Sequence, residues 1–326
     1  MSSRKRVLLT GATGHVGGRL FKHLVSLPDI STRAWIRSSR ALPEWASHAD
    51  LVVGDIADSG TRKGALHDVD VVVHATRGFP TNVEPTTQQI RDELSTTLGF
   101  VRESIGAGVR RFIFLSSIHV YGGSLVGVVN EDTPCRPLTP YGMSRLKVEE
   151  EVRSVAEASH MEATMIRLSN AFGVPGIPRD DAWSLLVHDV CRQIVQSMKI
   201  ILRSDERTRR DVISLHDVTT ILTQVITSER YMGETYVLAS GRTMTIRELA
   251  ELVRKHAESL LGIHIPIDSK QTTESEPASF VFEPNKLRAA GIEFSDHREA
   301  EIRDLFSLAM QEFRERAVSD TNRDSA

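Results

Sequence analysis

A tyrosine and two basic residues are spaced in this sequence in a way that suggests acid–base chemistry. In the stretch TPYGMSRLKVEE, residues 139–150, Tyr141 stands near the start of a predicted helix, followed by Arg145 and Lys147. An α-helix has about 3.6 residues per turn, so Arg145 shares a face with Tyr141, whereas Lys147 lies about 240° around the axis. Arg145 is therefore the candidate cation beside Tyr141. Lys147 is predicted to be a solvated surface residue.

A glycine-rich stretch, VLLTGATGHVGG, joins the first predicted strand to the first predicted helix. Gly11, Gly14 and Gly17 have the spacing G-x-x-G-x-x-G. Gly11 allows a tight turn, Gly14 lets the backbone approach a pyrophosphate, and Gly17 lets the helix pack closely on the strand. The N-terminus of the helix then offers free N–H groups to phosphates. This context predicts dinucleotide binding.

The residues after the second predicted strand bear on which dinucleotide is bound. An acidic residue there would favour NAD by accepting hydrogen bonds from the ribose hydroxyls. Arg37 stands there instead, and it can pair with a 2′-phosphate, with Ser38 and Arg40 assisting. The sequence thus favours NADP, with NAD as the alternative. Asp55 ends the third predicted strand and is placed to hydrogen-bond the adenine amino group, with Ile56 beneath the ring.

The elements that must position these residues alternate in the first part of the chain. Short apolar runs separated by helical patterns predict a parallel sheet covered on both faces, and right-handed crossovers make it a doubly wound Rossmann sheet of the α/β class. The predicted strands are 6–10, 32–37, 49–55, 69–76, 110–117 and 162–170. The predicted helices are 14–26, 88–107 and 141–160.

The alternation of short apolar strands with helices becomes less regular after residue 170. Predicted helices at 183–198, 215–228 and 245–260 alternate with predicted strands at 199–203 and 234–240, without a second glycine-rich loop. We therefore expect a dinucleotide-binding domain over 1–170, which includes the tyrosine helix, and a smaller C-terminal α/β lobe. Residues 171–313 form mainly this substrate-binding lobe, with some segments returning to the Rossmann domain. Residues 314–326 are expected to be a polar, frayed tail.

Composition excludes several classes of protein. The 326 residues are 40% hydrophobic and 25% charged, with a formal net charge of −3, and no long basic stripe indicates nucleic acid as a partner. The basic start runs into a strand too short for a signal peptide or membrane span, so we expect a cytoplasmic protein without a membrane partner. Cys135 and Cys191 lie far apart without metal-ligand spacing and are predicted to be reduced thiols.

Together these motifs resemble the extended short-chain dehydrogenase/reductases of the NAD-dependent epimerase/dehydratase family. The resemblance covers roughly residues 6–292. The motifs that carry it are TGATGHVG at 10–17, GD at 54–55, HAT at 74–76, SSIHVYG at 116–122, YGMSR at 141–145, RLSNAFG at 167–173 and RRDVISLHDV at 209–218.

The resemblance implies three catalytic residues. Tyr141 is the general acid–base that exchanges a proton with a substrate hydroxyl or carbonyl, and Ser117 hydrogen-bonds the same oxygen. A free tyrosine has a pKa of about 10, so a nearby cation and the positive charge of the nicotinamide must together lower it by ~2–3 units, about 3–4 kcal/mol. Arg145 stands where lysine is usual. It keeps the charge and can donate to the nicotinamide ribose, but it cannot relay a proton.

The resemblance also implies the remaining site residues, none of which indicates a metal. The cofactor-binding positions are Gly11, Thr13, Gly14, His15, Val16, Gly17, Arg37, Ser38, Asp55, Ile56, Ala75, Thr76, Tyr141, Arg145 and Leu168. The positions beside the substrate are Arg77, His119, Asn170 and Arg210.

Three departures from the family's pattern narrow the function. Ile118 and His119 replace the acidic pair of the family's dehydratases, which argues against sugar 4,6-dehydration, and Glu93 stands where an asparagine is usual. The sequence thus predicts an NAD(P)-dependent oxidoreductase or epimerase that acts on a nucleotide-activated sugar. Two alternatives stay open: an NADPH-dependent reductase of a non-sugar carbonyl, and a catalytically weakened dinucleotide-binding sensor, because Arg145 replaces lysine. By analogy, the helices at 88–107 and 141–160 pair in a homodimer.

Overall fold

The computed structural model describes residues 4–38, 42–46, 48–77, 84–123, 125–269 and 278–323, with the backbone alone for 314–323. Arg40 lies outside these residues. The strands are β1 (Lys5–Thr10), β2 (Ile30–Ile36), β3 (Asp50–Val53), β4 (Val71–His74), β5 (Arg111–Ser117), β6 (Gly127–Val129), β7 (Glu162–Leu168), β8 (Asn170–Phe172), β9 (Ile200–Leu202), β10 (Arg209–Ser214), β11 (Thr235–Leu238), β12 (Thr243–Thr245), β13 (Ile267–Ser269) and β14 (Phe280–Phe282). The helices are α1 (His15–Leu24), α2 (Ser59–Ala65), α3 (Thr87–Gly106), α4 (Pro140–Glu157), α5 (Leu186–Ser197), α6 (Leu215–Thr227), α7 (Ile246–Leu261), α8 (Asn285–Ala289) and α9 (Arg298–Arg323).

The predicted doubly wound parallel sheet is confirmed. In the described residues it has seven strands in the order β11-β7-β5-β4-β1-β2-β3, and each neighbouring pair is parallel. Because all the strands run the same way, the loops after β1, β4 and β5 meet at one edge. This is the edge at which open α/β sheets bind ligands.

Alternate residues of the strands supply the cores on the two faces of this sheet. Val7 and Leu9 of β1 pack in one cluster with side chains of α1 and α6. Leu8, which lies between them, packs in the other cluster with side chains of α3 and α4. This alternation is the period of two that a strand imposes, and it explains why the strands are continuous apolar runs.

A separate core lies in the C-terminal part of the chain. Side chains of α5, α7 and α9 pack there with those of β9 and β10. The predicted strand 162–170 divides at Ser169, because β7 belongs to the large sheet while β8 pairs with β10 in a small one. β11 then returns to the edge of the large sheet beside β7. The backbone of α9 is helical through residues 314–323, most of the tail that was expected to fray.

The start of α4 is fixed by its sequence. The Thr139 hydroxyl accepts a hydrogen bond of 3.1 Å from the Gly142 amide, and Pro140 occupies the first helical position. A Cβ at Gly142 would lie 2.5 Å from the carbonyl oxygen of His119, so only glycine allows this close approach. The contact brings Tyr141 beside the turn that follows β5.

Three other findings concern partners and ligands. Within the described part of the chain, none of the helices combines the length and apolar character needed to cross a membrane. In the same residues, no cluster of three or more histidine, cysteine or carboxylate side chains could bind a metal ion. Cys135 and Cys191 are free thiols, and burial raises the pKa of Cys135.

Candidate active site

One cavity of about 970 Å³ lies along the carboxyl edge of the large sheet. It extends from the glycine-rich loop to α4 and on to β8 and β10. The sequence-predicted residues that line it are Gly11, Thr13, Gly14, His15, Val16, Gly17, Arg37, Asp55, Ile56, Ala75, Thr76, Arg77, Tyr141, Arg145, Leu168, Asn170 and Arg210. Ser38, Ser117 and His119 are not part of this lining, although Ser117 and His119 both contact Tyr141.

The glycine-rich loop fits the phosphates of a dinucleotide. Gly11 has a φ of +70°, and a Cβ there would lie 2.6 Å from the Ala75 carbonyl oxygen. A Cβ at Gly17 would lie 2.1 Å from the carbonyl oxygen of Gly11. Any side chain at these positions would therefore break the turn between β1 and α1. Burial lowers the pKa of His15 to about 3, so its ring is neutral beside the cavity.

The loop after β3 is held in place at the predicted adenine end. Arg62 donates hydrogen bonds of 2.8 and 2.9 Å to the carbonyl oxygens of Ile56 and Ala57. A carboxylate oxygen of Asp55 accepts one of 2.9 Å from the Ala57 amide. Arg37 is exposed and lines the cavity near this loop. The geometry thus brings Arg37, Asp55 and Ile56 together at one end of the cavity.

Tyr141 is enclosed by polar and charged groups. It is hydrogen-bonded to Ser117, and the ring of His119 meets its ring at a centroid distance of 5.6 Å. The guanidinium carbons of Arg77 and Arg145 each lie 5.5 Å from its ring centroid. Burial nevertheless raises the pKa of Tyr141, opposed by Arg77 and the hydrogen bond with Ser117. Burial thus outweighs these two groups at Tyr141, and the expected lowering of its pKa, which also invokes the positive charge of the nicotinamide, stays a prediction.

Arg145 is a buried cation with a buried partner that the sequence did not predict. Only 2% of it is exposed, and its guanidinium contacts the carboxylate of Glu93 on α3. Burial, and then the charge of Arg77, lower the pKa of Arg145 to about 9, so the group stays charged at neutral pH. Its Nε is buried and has no hydrogen-bond partner among the described residues.

Lys147 lies on the surface, as the helical spacing predicted. Its side chain is 52% exposed and pairs with Glu151, at 2.8 Å, on the solvent side of α4. Lys147 therefore takes no part in the cavity.

A buried hydrogen-bond chain orders the segment that follows β4. The ring of His74 joins the hydroxyl of Thr10 at 3.0 Å and the hydroxyl of Thr76 at 3.1 Å. Burial, with a smaller contribution from Arg145, lowers the pKa of His74 to about 3, so the ring is neutral. These hydrogen bonds hold Ala75 and Thr76 against the glycine-rich loop.

The C-terminal half supplies the far wall of the cavity. Asn170 donates a hydrogen bond of 2.8 Å to the Asp211 carbonyl oxygen, and Arg210 lines the cavity near its rim. Arg179, which the sequence did not single out, donates one of 3.2 Å to the carbonyl oxygen of Thr13. The only signal for Arg179 in the sequence was its place in a proline-rich loop.

A buried ion pair lies behind the site. Arg167 of β7 binds the Glu149 carboxylate of α4 at 2.8 Å, and it also donates a hydrogen bond of 3.0 Å to the hydroxyl of Tyr121. Ser116 donates one of 2.5 Å to the same carboxylate. The pair fixes α4 against β5 and β7, and so fixes the position of Tyr141.

A parallel sheet with a glycine-rich first loop and a tyrosine helix at the same edge defines a dinucleotide-dependent oxidoreductase. A sequence profile described as the NAD dependent epimerase/dehydratase family matches residues 7–239, so the chain belongs to that family. It is an NAD-dependent epimerase or reductase of the extended short-chain dehydrogenase/reductase type.

The chain is similar to curated relatives in sequence and to solved structures in fold. The chain is 28% identical over 263 residues to a UDP-glucose 4-epimerase of Vibrio cholerae, covering 78% of this chain and 76% of the relative. A UDP-N-acetylglucosamine 4-epimerase from Methanobrevibacter ruminantium, solved with UDP-N-acetylmuramic acid, has a TM-score of 0.79 at 19% identity and covers 94% of this chain and 98% of its own. A UDP-glucuronic acid 4-epimerase from Bacillus cereus, solved with UDP-glucuronic acid and NAD, has a TM-score of 0.75 at 17% identity, covering 94% and 99%.

Proposed function

We propose that this protein transfers a hydride between a nicotinamide dinucleotide and a ring carbon of a nucleotide-activated sugar, with Tyr141 exchanging the accompanying proton. The observation that carries the proposal is one continuous cavity, lined in turn by the glycine-rich loop, Tyr141, and then Asn170 and Arg210. The UDP-sugar epimerases among its relatives and structural neighbours support this substrate class.

Tyr141, Ser117 and Arg145 each have a separate task. A bound dinucleotide supplies the hydride acceptor or donor. Tyr141 takes the proton of the substrate hydroxyl during oxidation and returns it during reduction. Ser117 lies outside the cavity lining and, through its hydrogen bond with Tyr141, holds the phenol in place for this exchange. Arg145 holds positive charge at the ring of Tyr141, and its Nε is available to the ribose of the dinucleotide.

The exposed guanidinium of Arg37 supports NADP over NAD as the cofactor. It lies at the cavity end where the adenosine ribose binds in this proposal, and it can pair with a 2′-phosphate. With NADP, a net reductase is favoured over an epimerase, because an epimerase recycles a tightly held dinucleotide.

The test is a turnover panel. The purified protein is mixed with NADPH or NADH and a set of 4-keto sugar nucleotides, and with NADP or NAD and a set of UDP-sugars, while nicotinamide absorbance is followed. Turnover that Tyr141→Phe reduces by about 10²–10⁴-fold supports the proposal. Tyr236→Phe, which removes a phenol on β11 outside the cavity lining, is the matched control. Turnover unchanged in Tyr141→Phe would overturn the catalytic role.

Two observations favour a second candidate, a dinucleotide-binding sensor without turnover. The pKa of Tyr141 is raised by burial, and the charge of Arg145 faces the carboxylate of Glu93. Dinucleotide binding without oxidation across the panel, together with turnover gained in Arg145→Lys, would favour the sensor.

The assembly and location of the protein are further parts of the proposal. Within one chain, α3 packs against α4. Pairing of these helices with those of a second copy forms a four-helix bundle, as in a homodimer. The homodimer and the cytoplasmic location stay predictions, and light scattering after size-exclusion chromatography tests the first.

A further inference from the structure

Glu93 and Arg145 form a buried pair of opposite charges next to Tyr141. One carboxylate oxygen of Glu93 contacts the guanidinium, and the other accepts a hydrogen bond of 2.8 Å from Ser144. Glu93 is 7% exposed and Arg145 2%. A buried charge without a partner is strongly unfavourable, so each of these two groups requires the other.

The other charged and titratable groups that face Arg145 leave Glu93 as its counter-ion. His74, at the end of β4, is neutral because burial lowers its pKa to about 3. Arg77, just after β4, repels the guanidinium. Glu149, one turn further along α4, attracts Arg145 but is itself bound to Arg167.

The groups that face Tyr141 come from three parts of the chain. Arg77 follows β4, Ser117 and His119 lie at the end of β5 and in the turn after it, and Arg145 follows on α4. The guanidinium of Arg145, one of the two at the phenol ring, contacts Glu93. The net charge that Tyr141 experiences from the position of Arg145 therefore depends on Glu93.

We propose that Glu93 is a positioning residue, which holds the guanidinium of Arg145 against the ring of Tyr141 and balances its charge. The cation that α4 places beside the phenol is then part of a neutral pair, and Arg77 is a second, separate positive charge at the ring. This deepens the proposed function, on which it rests for the part that Tyr141 plays in proton transfer. Glu93 itself lines the same cavity beside Arg145.

The proposal predicts how the pKa of Tyr141 differs among the parent protein, two single variants and their double variant. Glu93→Gln keeps the shape and an acceptor oxygen but leaves Arg145 as an unbalanced cation, which lowers the pKa by about one unit or more. Arg145→Gln leaves the carboxylate of Glu93 unbalanced, which raises the pKa of Tyr141. The double variant carries neither charge and stays within about half a unit of the parent.

The measurement is a carbon-13 NMR titration of ring-labelled tyrosine in the full chain without substrate or dinucleotide. The sequence has only 4 tyrosines, and Tyr141→Phe assigns the signal in question. Glu103→Gln is the matched control, because it removes a carboxylate from the same helix, where it pairs with Arg62 at 2.5 Å outside the cavity lining. A merely structural role of Glu93 would not move the titration of a phenol on another helix.

A folded Glu93→Gln protein in which Tyr141 titrates as in the parent would overturn the proposal. If Glu93→Gln does not fold, the proposal is tested by comparing the titration of Tyr141 in Arg145→Gln with that in the double variant. The proposal requires the double variant to titrate about one unit or more below Arg145→Gln, and equal titrations overturn it. Because no turnover is measured, a protein inactive on every sugar nucleotide can still show the shift, which separates this inference from the proposed function.

Discussion

The guanidinium of Arg179 donates a hydrogen bond to the carbonyl oxygen of Thr13, across 3.2 Å. Thr13 belongs to the glycine-rich loop, whereas Arg179 lies in the loop that precedes α5. The same guanidinium lies 3.6 Å from where a Cβ of Gly14 would be. The guanidinium also pairs with the carboxylate of Asp181, at 2.5 Å, so an ion pair from the C-terminal half lies over the glycine-rich loop.

We expect Arg179→Gln to weaken the binding of NADH and NADPH alike, by about tenfold, because a hydrogen bond to a charged group contributes about 1.5 kcal/mol or more. Fluorescence titration of the reduced dinucleotides measures the effect. Arg203→Gln is the matched control, since Arg203 also faces an aspartate, Asp189, but is 72% exposed and outside the cavity lining. An equal loss in both variants would contradict a specific role for Arg179.

Arg37→Gln tests the choice of dinucleotide. Loss of a guanidinium that pairs with a 2′-phosphate should weaken NADPH binding by about tenfold and leave NADH binding nearly unchanged. The ratio of the two dissociation constants is the measurement, and NADH serves as the internal control. If both dissociation constants change by the same factor, Arg37 does not bind the 2′-phosphate.

The raised pKa of Tyr141 predicts opposite pH dependences for the two directions of the reaction. The protonated phenol is fully present below the raised pKa and is lost only as pH rises through it. Proton donation during reduction should therefore be flat across the neutral range. Proton acceptance during oxidation requires the phenolate, so kcat/KM should rise about tenfold per pH unit until that pKa is reached. A reduction rate that already falls between about pH 7 and 9 would be inconsistent with this reading.

The buried pair of Glu149 and Arg167 should make a large contribution to stability. Glu149→Gln leaves the guanidinium of Arg167 buried without its counter-charge, and we expect the free energy of unfolding to fall by about 3–5 kcal/mol. Lys147→Gln, which breaks an exposed pair on the same helix, should produce no measurable change. Urea unfolding followed by circular dichroism compares the two variants, and similar midpoints would refute the distinction.

Local spacing predicts the features of this protein that depend on one element. The order of strands and helices along the chain and the surface position of Lys147 follow from the period of a strand or a helix. The glycines of the first loop follow from the tight turn between β1 and α1. Contacts between side chains of two different elements are harder to predict from the sequence. The contact between Glu93 and Arg145 exists because α3 and α4 pack side by side, and nothing in either helix alone specifies it.

The same argument applies to two other features of the site. Arg179 reaches the glycine-rich loop from a distant part of the chain, and the direction of its loop is set by tertiary packing. The pKa of Tyr141 depends on how completely the surrounding elements exclude water from it. Residue types around Tyr141 suggested a lowered pKa, but the extent of burial is a property of the whole fold.

The position of β11 at the edge of the large sheet, beside β7, limits how this enzyme can be re-engineered. A fragment that stopped after β7 would present an unpaired strand edge, open to pairing with other chains and thus to aggregation. A chimera that exchanges the C-terminal half for that of another family member must consequently bring a compatible outer strand with it. Gene-fusion boundaries drawn at residue 170 alone would cut through a shared sheet.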